Sequence, residues 1–116
     1  YPETVRSFVM AEGSLFNTHF TAVPFNAPNK PGALVLADFL LSPAAQYSKN
    51  QPANWGDFTV LDTATLPDPW RERFETLDLG EATLPFELLE ARAVPEVAPA
   101  YVEALERGWE ENVLRK

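Results

Sequence analysis

The strongest structural signal in this sequence lies in residues 29–46, which read Asn-Lys-Pro-Gly-Ala-Leu-Val-Leu-Ala-Asp-Phe-Leu-Leu-Ser-Pro-Ala-Ala-Gln. Gly32–Leu41 is apolar on nearly every face, a pattern that fits a buried helix or a buried strand equally well. The flanking residues favour a helix, because Pro31 suits a first helical turn and Asn29 is placed to cap it. Ser42–Lys49 begins with a serine and a proline, which predicts a second helix kinked from the first.

The remaining sequence predicts short elements on both sides of this stretch. A helical pattern opens at Pro2-Glu3 and ends at Gly13, and Asn50–Asp57 has the breakers of a loop. Alternation predicts a strand over Thr18–Val23, and Phe58–Leu61 is a candidate for a very short one. Further helices are predicted over Pro67–Leu77, Leu84–Ala93 and Pro95–Arg115, and the last has an apolar residue at every fourth position. The predicted fold class is therefore α+β and mostly helical, with one or two short strands.

Composition excludes several classes of function. The chain has 116 residues, a length for one small domain at most, and its 9 Lys+Arg against 17 Asp+Glu give a net charge of −8. Such a surface repels phosphates and the chain has no basic cluster, so no nucleic-acid partner is expected. The absence of cysteine excludes disulfides and thiolate metal sites.

His19, the one histidine, is most simply interpreted as a hydrogen-bonded structural residue. A less favoured hypothesis is a small hydrolase in which His19 works with Asp57 or Glu12. The sequence contains no GxSxG nucleophile motif, no HExxH zinc motif and no glycine-rich phosphate loop. We therefore expect neither an enzyme nor a cofactor or metal site.

Two short segments are candidates for ligand binding. In Trp55-Gly56-Asp57, an aromatic ring beside a carboxylate can stack on and neutralise a cationic ligand ring; the alternative is a tryptophan that packs the loop against the core. Asn26 and Asn29 can hydrogen-bond a ligand, or the helix start beside them can bind an anion, or they simply turn the chain and cap the helix. Trp70 and Trp109 lie on helical stripes and are predicted to be core residues.

From Thr21 to Gln46 the sequence resembles the solute-binding proteins of ABC importers. Phe39–Gln46 has the form of that family's Phe-Leu-Leu-Ser-Pro-x-Ala-Gln signature. Val5-Arg6-Ser7, Asn17–Phe20 and Trp55–Asp62 are similar to a subfamily grouped as thiamine-type or uncharacterised importers. The resemblance covers essentially the whole chain.

The resemblance implies a type II periplasmic binding protein, with two α/β lobes that are joined by crossing strands and close around a small solute. Residues 1–116 would be its C-terminal segment and would contribute to both lobes. The implied partners are the solute and the ABC permease, and the implied location is periplasmic or extracellular, with a signal peptide on the missing N-terminal part. The family's signature residues act as scaffold, so Trp55, Asp57, Asn26 and Asn29 are ligand-binding candidates from the residues alone.

A different class of function also fits the sequence, namely an acidic, mostly helical module that binds a partner protein through an apolar stripe. Under the importer hypothesis, the isolated chain would expose strand edges and an uncovered apolar helix. The isolated chain is then expected to self-associate.

Overall fold

The structure, a computed structural model, describes residues 4–115 and consists of short helices with one small sheet. The elements in chain order are β1 Ser14–Leu15, α1 Lys30–Leu40, α2 Pro43–Asn50, a 3-10 turn Thr63–Thr65, α3 Asp68–Glu75, α4 Phe86–Glu90, β2 Ala93–Val94, α5 Pro99–Trp109 and a π-helical turn Glu110–Leu114. The chain is therefore α+β and mostly helical, with two short strands, as its sequence predicts.

The junction between α1 and α2 follows the local sequence signals. The Asn29 side chain accepts a hydrogen bond from the Gly32 backbone N–H at 3.0 Å, so the predicted cap of α1 is confirmed. The Ser42 hydroxyl accepts one from the Ala45 N–H at 3.3 Å and caps α2. Pro43 has no N–H to continue α1, so the chain breaks here into two helices.

Gln46 connects the junction between α1 and α2 to residues 59–60. It is only 6% exposed. Its side-chain Nε2 donates to the Leu40 carbonyl at 2.7 Å, and its Oε1 accepts from the Thr59 hydroxyl and the Val60 N–H, both at 3.1 Å. These bonds hold residues 59–60 against the end of α1.

Aromatic contacts hold the middle of the chain together. Tyr47 of α2 packs against Trp70 and Phe74 of α3, with ring centroids 6.2 and 5.4 Å away. Phe86 of α4 lies 5.4 Å from Phe58 and 6.3 Å from Phe16 by the same measure. The Tyr47 contact explains why the predicted Pro67–Leu77 helix forms as α3, and why Trp70 is half-buried.

The two strands pair in parallel, Ser14 with Ala93 and Leu15 with Val94. Gly13 makes the approach possible: its φ is +108°, and a Cβ atom there would lie 2.7 Å from Val94 Cγ1. Only glycine adopts such a backbone without strain, and no side chain fits the space. The sheet therefore depends on one glycine next to β1.

Three predictions for the first half of the chain are wrong. Thr18–Val23 and Phe58–Leu61 form no strand, and residues 5–10 form no helix; Pro2 and Glu3 lie outside the described residues. A strand exists only where a neighbour supplies its backbone hydrogen bonds. Within residues 4–115, the strands that pair are β1 and β2, which directly follow Gly13 and Arg92.

The C-terminal helices are shorter than predicted. Leu84–Ala93 contains the helix Phe86–Glu90 but ends in β2, and the Pro95–Arg115 helix begins only at Pro99 and becomes π-helical after Trp109. Proline is well accommodated at the first helical position, which explains the start at Pro99. Trp109 is exposed, so its prediction as a core residue is wrong.

Apolar burial is low throughout the described part of the chain. No hydrophobic residue of residues 4–115 is buried. The radius of gyration is 18.4 Å, against about 13 Å for a compact domain of this length. The accessible surface is 9704 Å², against about 6,300 Å² for a folded monomer of this size. Most apolar surface that these elements present is therefore free to contact other atoms.

Candidate functional site

Residues 51–57 form a tight loop that places Trp55 and Asp57 beside α2. The Gln51 carbonyl accepts hydrogen bonds from three successive backbone N–H groups, those of Asn54, Trp55 and Gly56. The Asn54 side chain donates to the Ser48 carbonyl at 3.0 Å. Gly56 has a φ of +74°, which turns the chain so that the Asp57 N–H donates to the Lys49 carbonyl.

One oxygen of the Asp57 carboxylate accepts two hydrogen bonds. Its Oδ2 accepts from the Lys49 ammonium at 3.1 Å and from His19 Nδ1, also at 3.1 Å. Because an ionised carboxylate only accepts, the hydrogen of neutral His19 is assigned to Nδ1, which leaves Nε2 as an acceptor. The Lys49 side chain is 16% exposed and the Asp57 side chain 33%, so the pair is partly withdrawn from water.

His19 also contacts the tryptophan. The two rings stack with centroids 5.7 Å apart and an interplanar angle of 30°. The His19 side chain is 76% exposed and Trp55 is 67% exposed. Trp55 therefore does not pack the loop against a core but forms an aromatic surface together with His19.

These residues border two open grooves. The first has a volume of about 650 Å³, within the size range of small-molecule sites. His19, Trp55 and Lys49 line it, and most of the remaining wall is apolar, from α1, α2 and Val60. Asp57 does not line this groove; it faces a second one of about 550 Å³, shared with His19, Lys49, Phe16 and Phe86.

The four sequence-predicted ligand residues separate into two groups. Trp55 and Asp57 lie together in the site. Asn29 caps α1, and Asn26 is exposed in the turn before that helix; neither lines the two grooves that meet at His19. The capping interpretation of Asn29 is confirmed.

The His19–Asp57 hydrogen bond fits the structural interpretation of the histidine. It also supplies two of the three groups that a hydrolase needs. A nucleophile on the other ring nitrogen would complete the set, but among the described residues no side chain hydrogen-bonds to His19 Nε2. Glu12, the other candidate, is exposed and lines neither groove.

Within residues 4–115, no group of three or more His, Asp or Glu side chains is arranged to hold a metal ion. None of the helices there combines the length and the apolar character needed to cross a bilayer.

Sequence reasoning missed Lys49 and Gln46 as residues that shape the site. A lysine eight positions from Asp57 gives no signal without knowledge of the loop between them. In the sequence, Gln46 is recognisable only as the last residue of the Phe39–Gln46 signature, and its contacts with residues 59–60 are not. The stretch around His19 alternates like a strand but forms none, and its residues His19 and Thr21 line the first groove.

The chain is similar to a curated protein of Escherichia coli over most of its own length. The chain is 41% identical over 108 residues to Protein YnjB of Escherichia coli (strain K12). The aligned stretch covers 93% of this chain and 26% of YnjB, so the chain spans about a quarter of the length of this curated relative. No protein-family model matches the sequence, and no solved structure matches it.

Proposed function

We propose that residues 1–116 belong to the solute-binding protein of an ABC importer. In this proposal they form the C-terminal segment of a two-lobed type II periplasmic binding fold and contribute to both lobes. The whole protein is exported to the periplasm or cell surface. It captures a small solute between its lobes and delivers it to the permease, without covalent chemistry.

The observation that carries the proposal is the signature Phe39–Gln46. Its polar members have definite tasks: Ser42 caps α2, and Gln46 ties α1 to residues 59–60. Its apolar members Phe39 and Leu41 remain exposed. The polar side chains of the signature thus fix the local fold, while its exposed apolar side chains are available to pack against a larger lobe. Both properties are expected of a scaffold element.

The exposure of α1 supports the same proposal. Its large apolar residues and the one that follows it are between 38% and 70% exposed: Leu34, Val35, Leu36, Phe39, Leu40 and Leu41. Large contiguous apolar patches are rare on the surface of soluble monomers. Because the chain spans only 26% of YnjB, a full-length protein of that size has ample chain to cover this helix.

The proposed mechanism uses the grooves at His19, Trp55 and Asp57 as one wall of the cleft between the lobes. Solute binds there and bridges to the second wall, which stabilises the closed arrangement over the open one. The closed protein then docks on the permease. Solute affects the equilibrium only through its higher affinity for the closed form.

A second candidate is an acidic, mostly helical interaction module, and α5 favours it. The apolar stripe of this helix, Tyr101, Leu105 and Trp109, is exposed, with acidic residues on the remaining faces. Such a stripe fits the groove of a partner protein. A module of this kind would bind a protein through α5 and would have no solute that stabilises it.

Thermal unfolding of the full-length gene product separates the two candidates. We expect one compound among vitamins, amino acids, sugars and inorganic cations to stabilise it, by about 2.7 kcal/mol at a hundred-fold excess over Kd. The Trp55→Ala variant should lose most of this stabilisation, whereas Trp109→Ala should retain it. Absence of stabilisation by every compound, together with tight capture of a protein through α5, would favour the interaction module instead.

A further inference from the structure

We infer that the groove between α1, α2 and the Trp55 loop takes a planar aromatic ligand that carries a negative charge. This inference rests on the proposed function and names the class of solute. Three observations carry it: the stacked His19–Trp55 pair, the charge that lines the groove, and the apolar character of the remaining wall.

The stacked pair provides an aromatic surface for another ring. The His19 and Trp55 rings are tilted by only 30°, and both side chains are more than half exposed at the rim of the groove. Offset stacking on such a surface gains energy beyond the burial of area. A planar ring that enters the groove can extend the stack and cover the exposed indole.

The charge that lines the groove is positive. Lys49 borders it, whereas Asp57 lies outside it on the second groove. The Lys49 ammonium has three N–H groups, and Asp57 Oδ2 is its single hydrogen-bond partner within residues 4–115. Two N–H groups therefore remain for a ligand carboxylate or similar anion.

The position of Lys49 strengthens its effect on a ligand. At 16% exposed it is largely withdrawn from water, where charges attract more strongly than in bulk solvent. Phe39, Leu40 and Ala44, which line the same groove, are apolar. A cationic ring in this groove would face the Lys49 ammonium, whereas the Asp57 carboxylate that could neutralise it borders the second groove instead.

The test compares three probes with one ring system and different charges. Indole-3-acetate is an anion, tryptamine is a cation, and indole-3-acetamide is neutral. Isothermal titration calorimetry on the full-length gene product should give an affinity for the anion at least about ten-fold above the other two. The preference should weaken with added salt, because part of it is electrostatic.

Variants of Lys49 and Trp55 distinguish the contribution of the lysine charge to binding from that of aromatic stacking. Lys49→Gln should abolish the preference for indole-3-acetate and leave the affinity for indole-3-acetamide within about two-fold, whereas Lys49→Arg should keep the preference. Trp55→Leu should lower the affinity for all three probes by about ten-fold or more. Trp109→Leu, an exposed tryptophan outside the groove, is the matched control and should change nothing. Each variant's thermal midpoint without probe checks that it is folded.

Three results would overturn the inference: tighter binding of tryptamine, equal affinity for all three probes, or no binding of any. Its failure is distinguishable from failure of the proposed function. If a compound that is not an aromatic anion stabilises the protein through Trp55 while indole-3-acetate does not bind, the solute-binding function stands and the ligand class is wrong. If indole-3-acetate binds as expected but deletion of the gene leaves uptake of every solute unchanged, the ligand class stands and the transport function is wrong.

Discussion

Gln46 and Asn50 are the buried residues of the described chain, and both are amides rather than apolar side chains. Gln46 uses both ends of its amide, donating to Leu40 and accepting from Thr59 and Val60. The Asn50 side-chain oxygen is buried without a partner in the part of the chain that the structure describes. A buried polar atom without a partner costs about 1–3 kcal/mol, so Gln46 is the residue that stabilises this region.

Replacing Gln46 by methionine should destabilise the protein. The change keeps the volume but leaves the Leu40 carbonyl and the Val60 N–H without their side-chain partner, at a cost of about 1–3 kcal/mol. Gln51→Met is the matched control, because Gln51 is half-buried and, within residues 4–115, its side chain accepts from Asn54 alone. Urea unfolding of the full-length gene product measures both; equal midpoints would contradict the assigned role of Gln46.

Residues with local partners could be predicted from the sequence, and those with distant partners could not. Asn29 and Ser42 cap helices three residues away, so their neighbours reveal their role. Trp55 and Asp57 are recognisable as candidates because an aromatic residue and a carboxylate flank a glycine in one short segment. The contact of Asp57 with His19 spans 38 positions, and no local pattern encodes it. The sequence therefore indicates Trp55 and Asp57 as members of the candidate site but gives no indication of Lys49.

The parallel pair of strands depends on close approach at Gly13. A Cβ atom there would lie 2.7 Å from Val94 Cγ1 and 2.9 Å from the Arg92 carbonyl, and the φ of +108° is strained for any other residue. Gly13→Ala should therefore cost more than the ordinary 1–2 kcal/mol of a left-handed residue.

Gly108→Ala is the matched control for Gly13→Ala. Gly108 lies within α5 with nothing within 4 Å of its would-be Cβ atom, so alanine should stabilise that helix by about 0.5–1 kcal/mol. Thermal unfolding of both variants of the full-length gene product measures the two changes in stability, which should have opposite signs. Two variants that shift stability in the same direction would contradict this account of the ladder.

Each of the five α-helices described within residues 4–115 overlaps a stretch that the sequence predicts as helical, although one predicted helix does not form over residues 5–10, and neither strand is predicted. Proline and cap residues mark the starts of α1 and α2, and four-residue spacing marks α5. The strands are two residues each and pair across most of the chain, so neither alternation nor length reveals them. The alternation in Thr18–Val23 was misleading because period-two patterns fix the faces of a strand without supplying a neighbour.

The molecule as a whole presents apolar surface that its own elements do not cover. Isolated residues 1–116 should therefore self-associate, despite a net charge of −8 that opposes it. Light scattering should show a mass that rises with protein concentration and with added salt, since salt screens the repulsion. Changing Leu34 and Leu36 to glutamate should reduce the association, and a monodisperse monomer at high concentration would count against it.

We propose that α1 is an interior helix of a larger protein. Amide hydrogen exchange over Lys30–Leu40, followed by mass spectrometry in the full-length gene product and in residues 1–116 alone, tests this proposal directly. We expect strong protection of α1 in the full-length protein and rapid exchange in the isolated chain. Equal exchange of α1 in the two samples would contradict it.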